Sequence, residues 1–144
     1  RKKQIKAKER GTKFYFGRDE FEYGTLPELD RQSNESVFHK TTSSAFNSTE
    51  IDTALRAAGI DGLILVGVAT NGCVEGTARD AGDKGYNCVI LEDACAAVEP
   101  SLHDATLRSF SWVHGHVMNT QAIIDYLDQQ QVATTKAPAD TPLT

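Results

Sequence analysis

Apolar positions recur in a regular order through the middle of the chain. Ile51, Ala54, Leu55 and Ala58 fall on one face at helical spacing behind Ser48-Thr49, either of which can cap a helix, and Gly59 stops the pattern. Gly62-Leu63-Ile64-Leu65-Val66-Gly67-Val68 is then a continuous apolar run, which predicts a strand buried on both faces. Val74, Ala78 and Ala81 return to helical spacing and end before Gly85. Cys88-Val89-Ile90-Leu91 predicts the next strand. Ser101 to Trp112 predicts a helix behind Pro100, Val113 to Met118 a short strand, and Thr120 to Gln129 a last helix capped by Asn119 or Thr120. Strands alternating with helices of this length predict right-handed βαβ units. The expected architecture is a three-layer αβα, Rossmann-like domain on a mostly parallel sheet. Ligands of such sheets bind beyond the carboxyl ends of the strands.

The flanks are less regular. Arg1 to Arg10 is strongly basic and ends at Gly11, which reads as the back half of an amphipathic helix, and Lys13-Phe14-Tyr15-Phe16 is strand-like. Gly17 to Lys40 is polar, with Pro27, and suits a surface loop bordering a pocket. From Val132 the chain turns Thr/Ala/Pro-rich, so residues 1–131 are expected to form the domain and 132–144 a flexible tail.

Composition narrows the partners. A net charge of −5 gives no support to nucleic-acid binding. No apolar run is long enough to cross a membrane, and no segment has the layout of a signal peptide. A cytoplasmic enzyme acting on a small molecule is the expectation. Cys73, Cys88 and Cys95 cannot all pair with one another and lack zinc-site spacing, so free thiols are expected, with no metal and no cofactor.

One of these thiols has a reactive setting. Gly67-Val68-Ala69-Thr70-Asn71-Gly72-Cys73-Val74 joins the buried strand to a helix, which puts Cys73 near unpaired backbone N–H groups and the positive end of the helix dipole. That setting favours the thiolate, the nucleophilic form, and the same turn can aim N–H groups at an oxyanion. The bland alternative is a small buried residue.

The stretch from Gly67 through Cys73 to Arg79-Asp80-Ala81, followed by Gly85-Tyr86 and Leu91-Glu92-Asp93-Ala94, resembles the nucleophile block of the isochorismatase-like cysteine hydrolases. Lys40-Thr-Thr-Ser-Ser-Ala45-Phe46-Asn-Ser-Thr49 is similar to that family's lysine block. Gly115-His116-Val117 and the last helix are similar to its closing strand and helix. The resemblance runs from about Ile5 to Leu127. It implies a Cys–Asp–Lys triad with Cys73 as nucleophile and Lys40 as the cation. It also implies a cis peptide at Val68-Ala69 that turns the Ala69 N–H, together with that of Cys73, toward the oxyanion. In the family, the triad aspartate ends a first, central strand ahead of a helix whose back half the start of this chain resembles. No residue here is assigned to it; Asp19, Glu20 and Asp30 are near in sequence but unmatched. The resemblance therefore implies a fragment or processed product, with little activity unless that strand is supplied.

Other residues carry weaker expectations. Phe46 matches a position near the pocket and can equally be a core aromatic; Asn71 either orients substrate or shapes its turn. Tyr15, Phe16 and Trp112 suit packing more than a pocket wall. Ser43 and Ser44 suit capping. His114 and His116 would share one face of a strand, a weak start for a metal site. The Asp-x-His signature of the family's metal-dependent nicotinamidases is absent from Gly17 to His39. Cys88 and Cys95 read as inert packing, and Asp93 as an anchor for the loop after its strand.

The expected reaction is hydrolysis of a small amide, ureide or carbamoyl compound through a thioester, with ureides slightly preferred and isochorismate or nicotinamide as alternatives. The rivals are an inactive structural subunit and a thiol redox sensor. A homo-oligomer is expected from the resemblance.

Overall fold

The computed structural model describes residues 24–136, with side chains through residue 131. The basic run, Tyr15, Phe16, Asp19, Glu20 and the end of the tail lie outside the described residues. Residues Arg1–Val37 and Phe38–Thr144 form two units. The described part of the first holds a 3-10 turn, Pro27–Leu29, entered through Pro27 and left through Asp30 in the left-handed region (φ 45°). Asp30 is occupied locally: Gln32 Nε2 donates to its carbonyl oxygen at 2.6 Å and to its carboxylate at 3.2 Å.

The second unit carries the alternation that the apolar pattern predicts. In order come α1 (Ile51–Ala57), β1 (Gly62–Val68), α2 (Glu75–Asp83), β2 (Asn87–Ala96), α3 (Pro100–Val113), β3 (His116–Met118) and α4 (Thr120–Lys136). The strands are parallel in the order β1-β2-β3. Leu63 pairs with Cys88, Leu65 with Ile90, and Ile90 with Val117, so these side chains share one face. Against that face α2 lays Ala78 and Ala81, and α3 lays Leu107 and Phe110, all buried. α4 packs on the other face through Ile123. Helices on both faces of a parallel sheet give the three-layer αβα arrangement.

Several boundaries differ from expectation, each for a local reason. β2 runs past Leu91 to Ala96 because its residues 91–94 bulge opposite Val66, so that pairing, left at Leu65 and Ile90, resumes between Gly67 and Cys95. Val113 closes α3 rather than opening β3, and His114 caps that helix. The two histidines therefore do not share a strand face: His114 stacks on Phe110, 6.2 Å between ring centres, while His116 begins β3 and is exposed. α4 continues to Lys136. Asn119 caps it by accepting the Ala122 N–H at 2.8 Å, and Asp93, still within β2, takes the Thr120 N–H and hydroxyl at 2.9 Å. Ala54 and Ala58 are exposed, since α1 reaches the core through Leu55. Trp112 is 89% exposed on the outer side of α3 and neither packs nor lines the site.

The largest difference is at β1. Leu63 and Leu65 are covered, but Ile64, Val66 and Val68 face outward, Val68 at 73% exposure. Among the described residues β1 is an outer strand, and α4 covers the neighbouring strand more than β1. Between them lies a cavity of about 530 Å³ lined by Ile64, Val89, Met118, Ile123, Tyr126 and Leu127.

A polar cluster fastens α1 to the end of α2. Asp52 accepts from the Tyr86 hydroxyl at 2.8 Å, from Lys84 Nζ at 3.1 Å and from Arg56 Nε at 3.0 Å. The Tyr86 hydrogen bond, then that of Lys84, holds the Asp52 carboxyl below the usual carboxylate range. A depressed folded pKa contributes stability above the ordinary carboxylate pKa and loses it as pH falls through the folded value. Tyr86→Phe is therefore expected to melt below the parent at pH 7, with the gap narrowing as pH falls from about 5 to about 2. A gap independent of pH in thermal melts would reduce Tyr86 to its packing.

Candidate active site

The segment between β1 and α2 is built for close turning. The Val68–Ala69 peptide is cis, at the position that the resemblance implied. Thr70–Val74 then forms a wide helical turn, kinked at Asn71 (φ −81°, ψ 18°), before α2 proper begins. The Ala69 carbonyl gathers the N–H groups of Gly72 at 3.0 Å and Val74 at 3.3 Å. Cys73 sits in this turn, half-buried, with Val74 directed into the core. Asn71 is exposed and helps shape the turn.

The lysine arrives on a loop shaped by hydroxyl groups. The Thr42 hydroxyl donates to the Ser44 carbonyl at 2.6 Å, Ser48 Oγ accepts the Thr41 N–H at 3.0 Å, and Ser44 Oγ accepts the Phe46 N–H at 3.2 Å. Ser44 therefore caps the short 3-10 turn Ala45–Asn47, as the capping reading of that serine expected. This turn is stapled to α2: the Ala45 N–H donates to Thr77 Oγ1 at 3.1 Å and Asn47 Nδ2 to the Asp80 carboxylate at 2.8 Å. Gly76 faces the same loop, and a Cβ there would stand 3.6–3.7 Å from Ser43 and Ser44, an ordinary contact. Thr77, Asp80 and Asn47 are positioning groups that the sequence motifs did not single out. The signal for the two on α2 is the helical spacing of Thr77 and Asp80 along one side.

The result is a direct contact. Lys40 Nζ stands 3.2 Å from Cys73 Sγ and donates to the Thr42 carbonyl at 3.0 Å. Phe46 is held elsewhere: its ring lies 5.7 Å from that of Tyr86, and Lys84 Nζ, beyond the last turn of α2, stands 5.8 Å from it. Its recorded contacts are those of packing. The other two thiols differ from Cys73 in setting. Cys88 is buried, and burial pushes its thiol up. Cys95 is half-buried and donates to the Leu65 carbonyl at 3.9 Å; burial pushes its thiol up, and the charge of Asp93 adds to this.

Fold and site together define a three-layer α/β domain with a cysteine–lysine pair at the carboxyl end of a parallel strand. Its residues 1–122 match the Isochorismatase domain, and the chain belongs to the isochorismatase family. It is 37% identical over 117 residues to the ureidoacrylate amidohydrolase RutB of Acinetobacter baylyi, covering 80% of this chain and 48% of the relative. The chain spans about half the length of the curated relatives it matches. Among solved structures it is similar to an isochorismatase-like hydrolase from Alkaliphilus metalliredigens, with a TM-score of 0.69 and 34% identity over 72% of this chain and 57% of that one. It is also similar to the nicotinamidase/pyrazinamidase PncA from Bacillus subtilis, with a TM-score of 0.60 and 33% identity over 65% of this chain and 51% of that one.

Proposed function

We propose that the protein hydrolyses the carbon–nitrogen bond of a small amide, ureide or carbamoyl compound, with Cys73 as nucleophile and Lys40 as its cationic partner. The observation that carries this reading is the 3.2 Å approach of Lys40 Nζ to Cys73 Sγ, at the end of β1 where parallel sheets take their ligands. An ammonium against the sulfur balances the charge of a thiolate, the form that attacks carbonyl carbon. Sγ adds to that carbon, and the new oxyanion accepts hydrogen bonds from the Ala69 and Cys73 N–H groups. Collapse breaks the C–N bond, and the amine leaves with a proton. Water then adds to the thioester, the C–S bond breaks, and the acid departs as the thiol is restored. In the family that the sequence resembles, an aspartate moves these protons; no residue of this sequence is assigned that part.

Ureides are the first substrates to test, because ureidoacrylate amidohydrolases recur among the curated relatives. Nicotinamide-type amides are the second reading, favoured by the nicotinamidase neighbours. In the intact protein, quenching turnover should trap an acyl or carbamoyl group on Cys73, visible as a mass shift of its peptide. Turnover with an unmodified Cys73, unaffected by its alkylation, would overturn the reading. Lys40→Ala is expected to lower kcat/KM about 100-fold or more, the scale of losing one charge-stabilising group. A variant within twofold of the parent would remove Lys40 from the chemistry.

A further inference from the structure

The turn that carries Cys73 is held from a second side. Thr70, its first residue, is fully buried, with 0% of its surface exposed. A buried hydroxyl must find a partner or weaken its surroundings. Thr70 finds one 33 residues away: its Oγ1 lies 2.9 Å from Nδ1 of His103. His103 stands in the first turn of α3, where its own N–H is tied to the Glu99 carbonyl at 3.3 Å. The Thr70 carbonyl meanwhile accepts the N–H of Glu75, the first residue of α2. Thr70 thus links the foot of α3 to the head of α2, three positions before the sulfur.

We propose that His103 is a positioning residue which, through Thr70, holds the Cys73 turn at the distance where the Lys40 ammonium reaches the sulfur. The inference rests on the reading of Cys73 and Lys40 given above and adds to it a group that touches neither. Its physical basis is the division of supports. The lysine loop is stapled to α2 through Thr77 and Asp80, whereas the cysteine turn is stapled to α3 through His103. A contact of 3.2 Å between charge and sulfur weakens quickly if one support moves. Among the described residues, the polar contact of the His103 ring is the one to Thr70.

The test reads the sulfur directly. In the intact protein, the rate of iodoacetamide alkylation at Cys73 is followed by peptide mass spectrometry at one pH. Cys88, 1% exposed, serves in the same sample as the reporter of global folding. Thr70→Val and His103→Ala are each expected to slow Cys73 alkylation about threefold to tenfold, the effect of losing one hydrogen bond, while Cys88 stays protected. Thr70→Ser restores the hydroxyl and the rate. His103→Asn, whose amide can stand where Nδ1 stood, recovers most of the rate, and His103→Gln, which reaches past that point, does not. A parent Cys73 that is fast and slowed by Lys40→Ala, but indifferent to Thr70→Val and to all three His103 variants, overturns this inference alone. A parent Cys73 no faster than an unactivated thiol overturns it together with the proposed function. If Thr70→Val exposes Cys88, the Asn and Gln variants of His103 decide: equal rates in these two overturn the proposal.

Discussion

Cys73→Ala in the intact protein is expected to lower kcat/KM toward its substrate about 10⁴-fold or more, the scale on which removing a nucleophile acts. The same variant should melt within about 2 °C of the parent, because surface and half-exposed truncations seldom disturb stability. Cys73 is half-buried, and its sulfur accepts a hydrogen bond from Lys40. Steady-state kinetics beside a thermal melt separates the two outcomes. Turnover that survives the substitution would place the nucleophile elsewhere. Cys88 and Cys95 are poor substitutes, since burial disfavours the thiolate of each. Cys73→Ser should recover little, because an unassisted hydroxyl is a far weaker nucleophile than a thiolate.

The second large effect concerns stability. Gly115 lies between the cap of α3 and the start of β3, and its φ is not in the left-handed region, so its need for glycine is one of space. A Cβ there would fall on the Cys88 carbonyl oxygen and within 2.8 Å of Phe110 Cζ. Neither neighbour can give way: the carbonyl belongs to β2, and the Phe110 ring is fully buried. Gly115→Ala is expected to cost about 3 kcal/mol or more, as overpacking against rigid groups does. For a chain of this size that is a fall of about 10 °C in Tm. Gly82→Ala makes the control, since its nearest clash is the His114 carbonyl at 3.1 Å and should cost less. Equal melting of the two variants would show that the α3–β3 junction relaxes around Gly115.

Much of this was legible before any coordinates, and the reason differs by residue. The alternation of elements showed because Val74, Ala78 and Ala81 keep a strict helical period and Gly59 and Gly85 punctuate it, both with positive φ. Cys73 and Lys40 stood out through local motifs, and the fold brings them together. Burial of β1 on both faces did not follow, because a run such as Gly62–Val68 records what a strand can bury and not which neighbours lie beside it. The continuation of β2 to Ala96 was hidden because Glu92 and Asp93 read as a loop; Asp93 is tolerated there by facing the first N–H of α4. The Thr70–His103 bond was invisible because nothing local to either residue points to the other. His103 lay in a helix with ordinary spacing, and Thr70 inside a motif whose attention falls on its cysteine.

Among the described residues, the outer edge of β1 has no strand beside it. Wherever that edge, beside the exposed Ile64, Val66 and Val68, stays bare, it is a template on which other ribbons can nucleate. Any preparation with that edge uncovered should bind environment-sensitive dyes and turn cloudy as its concentration rises, while added strand-length peptides that cap it keep it clear.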